Sequence, residues 1–435
     1  MNNEIPIYAM IPFILMLGAI AALPLFASHF WEKNKNKLIV SLILGIPTVI
    51  WLLTSGYSIE LEHSIVFDYI PFIILLGSLF VITGGIYLEG DLEAKPSMNV
   101  KFLGIGAILA SLMGTTGAAM LLIRPLIKTN SERKYKVHTI LFFIGIVANC
   151  GGLLTPLGDP PLFMMYLRGV PFEWFLSLSK EWFVCNAILL GIYYFVDLHF
   201  WKKEKPEDIA FDHTNIKPLK IRGGLNFVWL IGVVLAVAII NPNNFSFIKV
   251  GTLSSFIREA IIALMAVFSI SFTKKTVRKS NNFNWEPIEE VAFLFLGIFI
   301  TMVPCLLYLE MNAEKLGVSS PIMFYYFSGS LSSFLDNTPT AVTFYSLAKG
   351  LVEINPAILA GKVVAGIPEA FMYAICTGSV FFGSMTYIGN GPNFMVKAIA
   401  ESNDIKMPDF FAYMYKFSLI ILLPIFILIQ LLFIW

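Results

Sequence analysis

Apolar runs of roughly 18 to 25 residues, the length needed to cross hydrocarbon, recur along the chain with short polar breaks. Ten read as spans: 5–27, 38–55, 69–88, 137–155, 180–198, 224–240, 256–272, 288–309, 366–388 and 409–433. Two further apolar segments, 101–127 and 321–350, are interrupted by small or polar knots. These are Met113-Gly-Thr-Thr-Gly117 in the first and Asp336-Asn-Thr-Pro-Thr340 in the second. Each segment is expected to fold as two half-length helices, a re-entrant hairpin, because irregular backbone at membrane depth survives only inside protein or beside a wet cavity. The run from Ile5 to Ala27, behind a Met-Asn-Asn-Glu start without a basic residue, reads as a retained helix and not as a cleaved leader.

Loop charge orients these spans, since Lys and Arg accumulate on the cytoplasmic side. Lys33/Lys35/Lys37, Arg133/Lys134/Lys136, the stretch from Lys202 to Arg222, and Lys274/Lys275/Arg278/Lys279 all fall on one side of the layout. Glu60/Glu62/Asp68 and the connection from Asn241 to Ser255 fall on the other. The layout requires the first hairpin to enter and leave from the cytoplasmic side, which puts both termini outside.

The two halves resemble each other. Thr155, Gly158, Asp159, Pro161, Phe163 and Met164 match Thr386, Gly389, Asn390, Pro392, Phe394 and Met395 at one constant offset. Upstream, Tyr87-Leu-Glu89 matches Tyr308-Leu-Glu310. The expected fold is therefore an all-α polytopic membrane protein with two inverted repeats of five spans. Residues 1–200 form the first repeat, with hairpin 101–127 and broken helix 137–167. Residues 201–222 form a cytoplasmic loop, and 223–435 the second repeat, with hairpin 321–350 and broken helix 366–400. An odd number of spans per repeat forces opposite orientations, and such repeats place a binding site at the midplane between discontinuous helices.

The matched motifs carry the chemistry. Pro156 blocks helix continuation, Gly158 permits a tight turn, Asp159 stands at an N-cap position and Pro160 suits a first helical position. Gly389, Asn390 and Pro392 repeat the pattern. In the second hairpin Thr338 is placed to cap a helix beginning at Pro339, leaving Asp336 and Asn337 at the tip; in the first, the tip is Gly114-Thr115-Thr116-Gly117. Helix capping alone would account for Asp159 and Asp336, yet ionisable groups at this depth are expensive and mark ion or proton paths. The polar residues Thr115, Thr116, Thr155, Asn337, Thr338, Thr386, Asn390 and Asn393 complete the candidate ion-binding set with Gly158 and Gly389. Asn149, Arg124 and Glu369 are weaker candidates to shape the path, and Arg168, Glu173, Lys349 and Lys397 read as interfacial anchors.

Composition narrows the class. Of 435 residues 57% are hydrophobic, 39 are Phe and 14% are charged, more apolar surface than a soluble core of this length needs. The net charge of +1 leaves no basic domain for nucleic acid. Cys150, Cys185, Cys305 and Cys376 lie far apart inside apolar stretches, as small core residues do. The five His residues, His29, His63, His138, His199 and His213, are scattered at loops and span ends. No nucleotide loop, metal-binding His cluster or nucleophile with a placed base is present, so an enzyme is not expected.

Gly152-Leu-Leu-Thr-Pro-Leu-Gly-Asp-Pro-Pro161, Ser333-Phe-Leu-Asp-Asn-Thr-Pro-Thr340 and Thr386-Tyr-Ile-Gly-Asn-Gly-Pro-Asn393 together resemble the ion transporter superfamily. Within it the chain is most similar to NhaD-type sodium/proton antiporters and the citrate-transporter-like proteins related to them. The resemblance implies an inverted-repeat fold, often homodimeric, in the bacterial inner membrane. It implies secondary transport coupled to Na⁺ or H⁺ with no other cofactor, and the superfamily's intramembrane acids fall on Asp159 and Asp336. Thr115-Thr116-Gly117 stands where dicarboxylate carriers have Ser-Asn-Thr. Two functions follow as expectations. In Na⁺/H⁺ antiport, Asp159 and Asp336 would bind a cation or protons, titrating as a pair. In a Na⁺- or H⁺-coupled citrate or dicarboxylate carrier, helix starts at Pro160, Pro339 and Pro392 would point their dipoles at an anion. Citrate would meet two acids with no Lys or Arg in either motif, which favours the antiporter.

Overall fold

The computed structural model describes residues 5–435 except 208, 210, 211, 213–215, 243, 250 and 360, and except the side chain of residue 25. The start of the chain, Met1 to Glu4, and the expected loop positions His213 and Asn243 lie outside the described residues. The protein is an all-α polytopic membrane protein, with two small two-stranded ribbons at its edges. In chain order the main helices are α1 (Ile11–Phe26), α2 (Asn34–Thr54), α3 (Ser58–Gly84), α4 (Pro96–Met113), α5 (Thr115–Thr129), α6 (Val137–Ile146), α7 (Pro160–Leu167) and α8 (Ser179–Trp201). They continue with α9 (Asn226–Ile239), α10 (Phe256–Phe272), α11 (Glu286–Met311), α12 (Pro321–Phe334), α13 (Asn337–Ile354), α14 (Glu369–Phe382), α15 (Gly391–Glu401) and α16 (Phe410–Phe433).

Nine helical segments among the described residues are long and apolar enough to cross a membrane. Eight coincide with expected spans. The ninth is α4, the first arm of the first hairpin, and the expected spans 224–240 and 366–388 form shorter helices of 14 residues, α9 and α14. Within segments 101–127 and 321–350, α4 and α5 meet at Gly114 and α12 and α13 at Leu335–Asp336. Short non-α-helical stretches likewise separate α6 from α7 and α14 from α15.

Two expectations are corrected. Glu60, Glu62 and Asp68 do not sit in a connection: the third span begins at Ser58 and takes all three into its first turns. The upstream match also fails locally. Tyr87–Asp91 is a strand, β1, paired antiparallel with β2 (Lys217–Arg222), whereas Tyr308–Glu310 closes α11. At Gly90 the strand backbone passes so close to its partner that a Cβ would lie 2.9 Å from Leu219 Cα; the matching residue in the other half is Met311.

Packing follows side-chain size. Helix α2 turns Ile39, Ile43, Ile46, Ile50 and Leu53 outward and buries Ser41, Gly45, Thr48 and Leu52. The apolar face is at home in lipid. The small face admits α11 closely, with a Cβ at Gly297 only 2.7 Å from Ser41 Cβ, as expected where dispersion contacts and not water exclusion join helices.

Contacts between connections respect the charge-based layout. On the basic side, Asn34 donates to the Glu286 carbonyl, Glu89 pairs with Arg222, and Glu204 accepts from the Lys134 and Tyr135 amides. On the opposite side Asp68 pairs with Arg168, and the Trp174 indole donates to Glu369. Arg168 is thus an ion-pair member and not a free interfacial anchor.

Candidate functional site

The first break begins after α6 ends. A 3-10 turn, Cys150–Leu154, is followed by a tight turn in which the Gly158 amide donates to the Thr155 carbonyl at 3.0 Å, and Pro160 starts α7. Bare backbone here is satisfied by the first hairpin. The Thr155 hydroxyl donates to the Ser111 carbonyl, the Ser111 hydroxyl donates to the Gly151 carbonyl, and the Thr115 amide donates to the Gly158 carbonyl at 2.8 Å. Gly114 holds φ +81° at the hairpin turn, a left-handed conformation that favours glycine.

The second break is built alike. The Thr386 hydroxyl donates to the Ser333 carbonyl of the second hairpin at 2.5 Å and accepts from the Ile388 and Gly389 amides at 3.2 and 3.1 Å. In both breaks a glycine meets the backbone of an earlier one. A Cβ at Gly158 would lie 2.0 Å from the Gly152 oxygen, and one at Gly389 would lie 2.6 Å from the Gly383 oxygen. Thr155, Gly158, Thr386 and Gly389 therefore shape the breaks, and the two hydroxyls are spent on backbone.

Asp159 lies where the elements converge. It precedes α7 at the N-cap position, but its carboxylate makes no cap bond. The side chain, in a residue only 1% exposed, receives three donors from three elements. Thr115 Oγ1 of the first hairpin donates to Oδ1 at 2.8 Å, Asn337 Nδ2 of the second hairpin to Oδ2 at 2.5 Å, and Asn390 Nδ2 of the second break to Oδ1 at 3.2 Å. A buried carboxylate needs such compensation to stay in place.

Asn149 ties the two breaks together. Fully buried, it accepts from Asn390 at 3.1 Å and donates to Asn393 Oδ1 at 2.7 Å, while Asn393 donates to the carbonyls of Gly383 and Thr386. Arg124 and Glu369 bond elsewhere, to the Asn281 carbonyl and the Trp174 indole, whereas Asn149, of these three weaker candidates, joins the site. Its signal was an amide inside an apolar run immediately before Cys-Gly-Gly. Ser111 and Ser333 had no such signal, since serine in a membrane helix most often bonds its own backbone.

Asp336 differs from Asp159. Helix α13 begins at Asn337, not at Pro339, and the capping residue is Asp336 itself, whose Oδ1 accepts from the Thr338 amide at 3.0 Å. Thr338 lies inside the first turn, with its hydroxyl 3.4 Å from Asn337 Oδ1. Asp336 is half-buried and lines a cavity of about 530 Å³ together with Thr115, Thr116, Gly158 and Asn390. The exposed Glu32 marks the mouth of this cavity, beside the Lys33/Lys35/Lys37 group that loop charge assigns to the cytoplasm, and buried Lys37 and half-buried Glu290 also line it. Lys37 pairs with Glu290 at 2.7 Å. Among the described residues no three His, Cys, Asp or Glu side chains group closely enough to hold a metal ion.

Comparison with known proteins agrees with a transport protein. The sequence profile of the family described as "Putative citrate transport" matches residues 2–434. The chain belongs to this family. A curated relative, an uncharacterized transporter of Synechocystis sp., is 23% identical over 346 residues, covering 72% of each chain. Family membership and the apolar helices together establish a multi-pass transporter family.

Proposed function

We propose that the chain is a secondary active transporter that exchanges Na⁺ for H⁺ through Asp159, in the bacterial inner membrane. The observation that carries this reading is the set of donors on Asp159, drawn from the first hairpin, the second hairpin and the second break. A carboxylate held by both halves senses their relative position. When a proton or a cation replaces one of those donors, the elements that supply them are released or drawn in. In this reading Asp336 and the Thr116 hydroxyl at the cavity wall receive the ion, and Asn149, Asn337, Asn390 and Asn393 hold the surrounding oxygens. The matched construction of the two breaks supports an inverted-repeat relationship between residues 1–200 and 223–435.

A second reading is coupled uptake of citrate or another carboxylate. Family membership favours it, as do the helix starts at Pro160 and Gly391, which present N-terminal dipoles beside the cavity. The acid at the cavity wall weighs against it, because Asp336 would face the anion. Purified protein in liposomes with an internal pH dye separates the two. An internal pH change on adding Na⁺ without citrate supports exchange. Labelled citrate uptake with no Na⁺-driven pH change replaces the first reading with the second.

A further inference from the structure

The cavity is far larger than a bare cation needs. At about 530 Å³ it falls in the range of roughly 300–1,000 Å³ typical of sites for drug-sized molecules. Its walls away from the breaks are apolar, contributed by Leu76, Leu79, Val291 and Leu294 with the rings of Trp31, Phe80 and Phe295. Tyr387, Phe394 and Met395 of the second break add to them. Four charged residues line it among the described ones: Glu32, Lys37, Glu290 and Asp336. Lys37 is spent on Glu290 and the exposed Glu32 lies 3.6 Å from His29, so among the described residues Asp336 is the lining acid without an ion-pair partner.

We propose that this cavity binds an organic cation with an apolar body, its charge toward Asp336 and its body against the aromatic wall. The proposal rests on the reading of this space as the transport cavity and goes beyond Na⁺ exchange by naming a second, organic class of cation that the same acid would attract. Two forces act together. A carboxylate in a space of low polarity attracts a nearby cation far more strongly than it would in water, and aromatic faces add to the attraction for weakly hydrated cations. Small alkali cations keep their hydration shell and gain little from such a wall. A tricarboxylate gains nothing from it and is repelled by Asp336.

Titration calorimetry on the detergent-purified full chain, with tetraphenylphosphonium and tetraphenylborate as probes of one shape and opposite charge, tests this directly. The expected result is saturable binding of the phosphonium, roughly tenfold or more tighter than the borate. Citrate should not displace it. Glu32→Gln, at the exposed mouth, should weaken the phosphonium by a smaller factor than Asp336→Asn, and both variants should elute as the wild type on size exclusion. Equal affinity for the two probes overturns the proposal, as does displacement of the phosphonium by citrate. So does wild-type phosphonium affinity in Asp336→Asn. Calorimetry involves no ion gradient, so binding without Na⁺-driven exchange in liposomes sinks the antiport reading alone, and exchange without phosphonium binding sinks this proposal alone.

Discussion

At the residue scale, Asp159 and Asp336 share a local grammar, each an aspartate just before a helix start, and yet spend their carboxylates differently. Asp336 gives one oxygen to the Thr338 amide, as a capping residue does. Asp159 gives its two oxygens to side chains from three other elements. No spacing rule could tell them apart, because the difference lies in which partners the fold brings to each. Truncation should expose it. Asp336→Ala should lose about 0.5–2 kcal/mol of stability through the missing cap, while Asp336→Asn should stay near wild type. Thermal unfolding in detergent measures both. On the transport reading the Asn variant still loses coupled exchange, because an amide neither binds nor releases a proton.

At the element scale, the breaks depend on glycines that no side chain could replace. Gly158→Ala would drive a Cβ to within 2.0 Å of a backbone oxygen, whereas Gly391 has nothing within 4 Å of its Cβ position. Gly158→Ala should cost about 1–3 kcal/mol or more, and Gly391→Ala should be tolerated; comparative melting curves decide it. The position of both breaks was readable from Thr, Gly, Asp/Asn and Pro at a fixed offset. What each broken end bonds to was not, since Ser111 and Ser333 supply backbone carbonyls to the threonines and any residue type has a carbonyl. The outer end of α7 carries another contact absent from the motif. Arg168 pairs with Asp68 of α3 at 3.2 Å and stacks over Tyr345 of α13 at 5.7 Å. This clasp joins the C-terminal end of α7 to α3 and α13. If transport requires alternate opening, Arg168→Gln should let an external thiol reagent reach a cysteine placed at Val291 on the cavity wall. Unchanged protection of that cysteine from outside would show that the clasp does not seal the path.

At the scale of the whole molecule, the order of spans and hairpins was legible because lipid imposes a length on every crossing and a charge bias on every loop. Bounds differ where polar residues continue a helix beyond the hydrocarbon, as Glu60 and Glu62 do in α3, and where an expected span folds as a shorter helix, as 224–240 does in α9 and 366–388 in α14. Labelling of single cysteines at Ser131 and Lys203, both exposed, should occur from the cytoplasmic side. Labelling at Glu62 and Asn244, also exposed, should occur from outside. Reaction of Ser131 and Glu62 positions from one face would break the layout. Glu204, buried beneath Arg133, would report nothing in such an assay.

If Asp159 couples the ion to the motion of both halves, exchange must fail when its carboxylate becomes an amide. Wild type and Asp159→Asn are reconstituted at equal density in liposomes containing a pH dye and challenged with the same Na⁺ gradient. A pH change is expected with the wild type and none with Asp159→Asn, which retains its monodisperse elution and its melting temperature within a few degrees. Exchange by Asp159→Asn at the wild-type rate would contradict that role.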